Sequence, residues 1–160
     1  MIQGQLPHGA TLVPVILAMD KTQLTQFSGN RQGYPVYLMI SNLPKEIKKL
    51  ISMQSWMLIG LLPMDLFDKM GLSDEAAKCL FHFCKTQLIQ EIKSTGMEGV
   101  EMVSADGLVR LCFPILRGYI GNYPENCLAS CMAYSSCPIG NIGRHDMGRY
   151  GWYPPQYLVS

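Results

Sequence analysis

Apolar residues fall into short blocks along this chain, and the blocks differ in period. Thr11–Met19 (TLVPVILAM) is a run of aliphatic and β-branched residues, which predicts a buried strand. Pro14 weighs slightly against it, because proline has no N–H to give to a ladder. The run ends on Asp20, and Ser28, Gly29, Asn30 and Gly33 then mark a turn. Tyr34–Ser41 (YPVYLMIS) and Trp56–Leu62 (WMLIGLL) predict a second and a third strand, broken by Pro44 and Pro63. Lys45–Lys49 between them reads as a short solvated helix or loop.

The pattern then changes to a period near 3.6. Ser73–Thr95 is the best helix: Ser73 can cap it, and Asp74 and Glu75 suit its positive end. Leu80, Phe83, Cys84, Leu88 and Ile92 give one apolar stripe, and Gly96 is a natural stop. Val100–Ser104 and Leu108–Phe113 flank Ala105-Asp106-Gly107, a hairpin signal. Pro114–Ile120 runs on to Gly121-Asn122-Tyr123-Pro124, which reads as a turn, and Cys127–Tyr134 fits a short helix. The expectation is an α/β protein with a mixed sheet of about five strands and a main helix at about 73–95. It divides into an irregular lead-in (1–10), a core (11–134) and a Gly/Pro/aromatic tail (135–160).

Composition narrows the function. Hydrophobic residues make up 48% and charged residues 16%, so the chain has the means to bury a core. The net charge of +1 provides no basic field strong enough to hold a nucleic acid by itself. Leu12–Met19 is short, interrupted by Pro14 and preceded by no Lys or Arg, and Trp56–Leu62 is too short to cross a bilayer. Neither a signal peptide nor a membrane span is expected. The irregular cysteines Cys79, Cys84, Cys112, Cys127, Cys131 and Cys137 then read as reduced thiols of an intracellular protein. Cys79 and Cys84 read as packing residues of the helix, Cys127 and Cys131 as one helix face, and His82 as a solvated position. Lys45, Lys48 and Lys49 read first as a solvated face and second as weak phosphate contacts. Tyr150, Trp152, Tyr153 and Tyr157 form an aromatic tail that packs on the body or stacks on bases.

Several segments carry a family likeness. LVPVILAMDKTQLTQF (12–27), YPVYL (34–38), GVEMVSADG (99–107), FPIL (113–116), YPENCLASC (123–131) and Cys137-Pro138 together resemble the Plavaka-type transposases of fungal mobile elements, within the CACTA-like group. The resemblance implies a DDE core in an RNase H-like fold, here partial, whose opening order is also strand, strand, strand, helix, strand. It implies three acids holding Mg2+ or Mn2+ for two-metal phosphodiester chemistry, and DNA as partner in the nucleus. The first acid falls on Asp20, and the second position holds Asn122. The amide offers an oxygen but no charge, so a site of Asp20 and Asn122 binds metal weakly. The third acid is expected beyond residue 160. The resemblance also implies a zinc motif, Cys-Pro-x-Cys, which here reads Cys137-Pro138-Ile139-Gly140 with glycine in place of the second thiolate, and Cys131 and His145 are the replacement ligands within reach in sequence.

The expectation is therefore a degenerate, inactive transposase fragment. A repurposed DNA- or protein-binding module is the alternative, with self-association through exposed strand edges as one form. An active nuclease that recruits Glu125 or Asp106 ranks last, since Asp106 reads as the hairpin turn.

Overall fold

The computed structural model describes residues 2–25, 31–63, 71–133, 135–140, 142–143 and 145–151. Six strands and a long helix build a mixed α/β fold. β1 (Thr11–Met19) matches its predicted span and continues after a break as the two-residue β2 (Thr22–Gln23). β3 (Gln32–Ile40) lies antiparallel to β1 on one edge and to β4 (Trp56–Pro63) on the other. α1 (Lys45–Lys49) is a short helix between β3 and β4. β5 (Val100–Val103) forms a hairpin with β6 (Val109–Ile120), and β6 pairs parallel with β1. The spatial order is thus β4, β3, β1, β6, β5, with β2 beside β3 in line with β1. β6 takes in both apolar runs that straddle Pro114, which the sequence pattern had kept separate.

The helix α2 spans Asp74–Glu98, capped at Ser73, whose side chain accepts from the Ala76 N–H. It outruns the predicted stop at Gly96. The true end is Gly99, at φ 79°, a conformation that glycine reaches without a Cβ clash. Gly96 instead serves packing: a Cβ there would sit 2.5 Å from the Pro114 carbonyl of β6. Gly96→Ala is expected to lower stability by about 1–3 kcal/mol in urea unfolding, through overpacking against backbone. An unchanged midpoint would show that α2 does not approach β6 this closely.

The core lies between α2 and one face of the sheet and contains Leu17, Met19, Tyr34, Val36, Leu62 and Phe81. The apolar stripe of α2 is rotated from the predicted one. Phe81 is 2% exposed and meets Tyr34 edge to face, whereas Phe83 is 61% exposed. Cys84 and Leu88 pack against the core as expected. The opposite sheet face carries the cross-strand row Leu58, Tyr37, Ala18 and Ile120, and all but Ala18 are exposed. Among the described residues no helix is long and apolar enough to cross a membrane.

Candidate active site

β1 and β6 run parallel, so their C-terminal ends lie side by side. Asp20 follows the last residue of β1 and is exposed. Asn122 stands two residues beyond β6, at the N-cap of α3 (Tyr123–Ala129), with a proline in the first turn. An N-cap asparagine ordinarily turns its side-chain oxygen onto the helix N–H groups. Asn122 makes no such bond; its Nδ2 donates to Asp20 Oδ1 at 2.7 Å. Asn126, within α3, donates through Nδ2 to the Gly121 carbonyl at 2.8 Å, which ties the helix to the end of β6. Both residues border a cavity of about 170 Å³ lined also by Ala18, Tyr37 and Ile120. The fold therefore brings together the two positions that the family pattern picked out, 102 residues apart in sequence.

α3 replaces the helix predicted at Cys127–Tyr134, and the segment read as a turn at Asn122–Pro124 is its start. Asn122 and Pro124 were its signal, in the N-cap and first-turn positions where these residues favour helix. The shift places Glu125 in the first turn, 4% exposed, facing inward. The buried Tyr34 phenol lies near its carboxylate. Burial first, then the charges of Glu125 and Asp20, raises the Tyr34 phenol above its ordinary value. Burial and the Glu125 charge push Tyr119 up to about 12. Both phenols stay neutral at ordinary pH. Glu125 Oε2 and Tyr119 Oη have no hydrogen-bond partner among the described residues. Sequence reasoning missed this Tyr–Glu–Tyr cluster, because nothing in the local pattern marks Glu125 as buried.

The other candidates do not join the site. Asp106 sits at the tip of the β5–β6 hairpin, whose far end lies away from Ile120. Its carboxylate accepts from the Leu108 N–H and from both terminal nitrogens of Arg110 at 2.8 and 2.7 Å. That bidentate pair holds the Asp106 carboxyl well below the usual carboxylate range. Being exposed, the pair contributes little to stability. Cys131, expected on a helix face with Cys127, lies past the end of α3 at φ 58° and is exposed. His82, expected in solvent, is half-buried, with Nε2 2.9 Å from the Leu128 carbonyl and 3.2 Å from Cys131 Sγ. Cys137 Sγ accepts from the Gly140 N–H at 3.3 Å, and His145 is exposed. No group of three His, Cys, Asp or Glu able to hold a metal exists among the described residues. Of the aromatic tail, Tyr150 is exposed, while Trp152, Tyr153 and Tyr157 lie outside the described residues.

The donor set at Asp20 does not fit a two-metal centre. One exposed carboxylate is present, one of its oxygens already accepts an amide N–H, and Glu125 is buried beneath the first turn of α3.

Among known proteins, the family model described as Plavaka transposase matches residues 1–157. No curated protein and no solved structure matches the chain.

Proposed function

The chain belongs to the Plavaka transposase family, and on that premise we propose that it is a transposase-derived core which keeps the site framework and has lost the catalytic charge. Transposases cut and rejoin DNA, and in general use divalent metal to do so. The reading of the frame as RNase H-like is supported by the strand order, with β1 central, β3 antiparallel beside it, β4 antiparallel to β3 at the edge, and β6 parallel to β1 after the α2 crossover. Asp20 is then the first metal ligand of the ancestral centre, and Asn122 replaces the second.

The observation that carries the inactive reading is the 2.7 Å hydrogen bond from Asn122 Nδ2 to Asp20 Oδ1. An amide N–H occupies a carboxylate lone pair that a cation would take. It supplies polarity without the negative charge that two divalent ions need. Purified protein is expected to leave supercoiled plasmid intact with Mg2+ or Mn2+. Metal-dependent nicking that disappears in Asp20→Ala would overturn the proposal. The second reading, a non-catalytic module binding DNA or protein, draws support from the exposed row Leu58, Tyr37 and Ile120.

A further inference from the structure

Ser41 follows β3 and is 8% exposed, with its N–H donating to the Pro14 carbonyl at 2.7 Å. Two cations converge on it. Lys48, from α1, donates through Nζ to the Ser41 carbonyl. Arg117 Nη1 donates to Ser41 Oγ at 3.0 Å. Arg117 reaches Ser41 because of an irregularity in β6. Val15 pairs with Leu116 and Ile16 with Gly118, so Arg117 is the extra residue of a bulge. A bulge re-aims the side chain it carries.

The ion pairs among the described residues join Arg110 to Asp106 and Arg149 to Asp146, and neither involves Lys48 or Arg117. Two like charges are thus held against one serine by neutral acceptors alone, and bringing them together costs free energy that an anion would offset. Each cation keeps donors beyond the one used on Ser41. Because Ser41 Oγ accepts from Arg117, its own O–H is available to donate. Lys45 and Lys49 on α1 add positive charge, and Glu46 subtracts some of it.

We propose that Ser41, Lys48 and Arg117 form a binding site for one phosphate group, supplied by a nucleic-acid backbone. The choice of nucleic acid over free phosphate rests on the family reading above. Along β1, Pro14 and Asp20 are six residues apart, which sets the phosphate roughly 20 Å from Asp20. That is about six steps along one DNA strand.

The test uses the full chain, a short fluorescent duplex of arbitrary sequence, and inorganic phosphate followed by thermal shift. Lys48→Gln with Arg117→Gln removes both positive charges while leaving a shorter, neutral side chain with an N–H donor at each position. It is expected to weaken duplex binding by roughly tenfold and to flatten its salt dependence by roughly one phosphate contact. Lys93→Gln, an exposed lysine on α2, is the control and leaves both unchanged. Duplex binding that is the same in the double variant and the wild type overturns the proposal, as does a wild type that binds neither probe. Phosphate stabilisation that the double variant loses, without duplex binding by the wild type, upholds the site and refutes its assignment to nucleic acid.

Discussion

Asn122→Asp is expected to make this protein depend on a divalent cation. The wild-type contact is attractive with no ion present, since an amide donates to a carboxylate at 2.7 Å. The variant sets two carboxylates at that contact and removes the donor. Repulsion between them replaces a hydrogen bond, and the apo protein melts roughly 2–6 °C lower. Magnesium at millimolar concentration bridges the pair and restores the loss. Its affinity in the variant exceeds that of the wild type by roughly 10- to 100-fold in calorimetric titration, an effect of the size seen when the surroundings of a metal site are altered. The wild type shows the same melting with magnesium and with chelator. Equal metal affinity in the two proteins would refute the view that Asn122 weakens metal binding by removing a charge. Manganese-dependent nicking by the variant is not required, because a third acid is still needed for two-metal chemistry.

Phe81→Ala tests the frame that holds the site. Phe81 is the buried aromatic of α2 and packs edge to face on Tyr34, whose phenol lies near Glu125. Truncation leaves a cavity between helix and sheet and costs about 3–5 kcal/mol. For a domain whose total is about 5–15 kcal/mol, that is a large share. Phe83→Ala, two residues on and 61% exposed, changes stability by no more than about 0.5 kcal/mol. Urea unfolding of the two variants side by side decides which aromatic faces the core. Comparable losses would show that α2 is rotated from the position described.

That pair of phenylalanines also shows where the sequence stops being legible. In Cys79-Leu80-Phe81-His82-Phe83-Cys84 both aromatics fit an apolar stripe, and local spacing favours neither strongly. The choice is made by Tyr34 across the sheet, which no window along the helix contains. β1 was readable because an aliphatic run signals a buried strand without reference to partners. The β5–β6 hairpin was readable because Asp106-Gly107 specifies its own turn, Asp106 accepting from the Leu108 N–H and Gly107 at φ 77°. Gly96 misled for the opposite reason. Its missing Cβ is used by a carbonyl of β6, a distant contact that imitates a local stop signal. At the site, family likeness singled out Asp20 and Asn122, while the contact between them left no mark in the sequence. The burial of Glu125 depends on where α3 begins, so the misplaced helix hid it.

The parallel pairing of β1 with β6 has one more consequence. Asp20 and Asn122 meet because two strand ends are in register, at the end of the sheet away from the β5–β6 turn. The turn between β5 and β6 can therefore change length without moving either residue. New sequence spliced into the exposed turn at Asp106-Gly107 would extend away from the site, with loop entropy rising by only about 0.6 kcal/mol per doubling of the loop. The frame behaves as a socket whose two contacts are fixed and whose wiring is free to lengthen. A family built on it can acquire inserted modules while its pair of site positions stays at hydrogen-bonding distance.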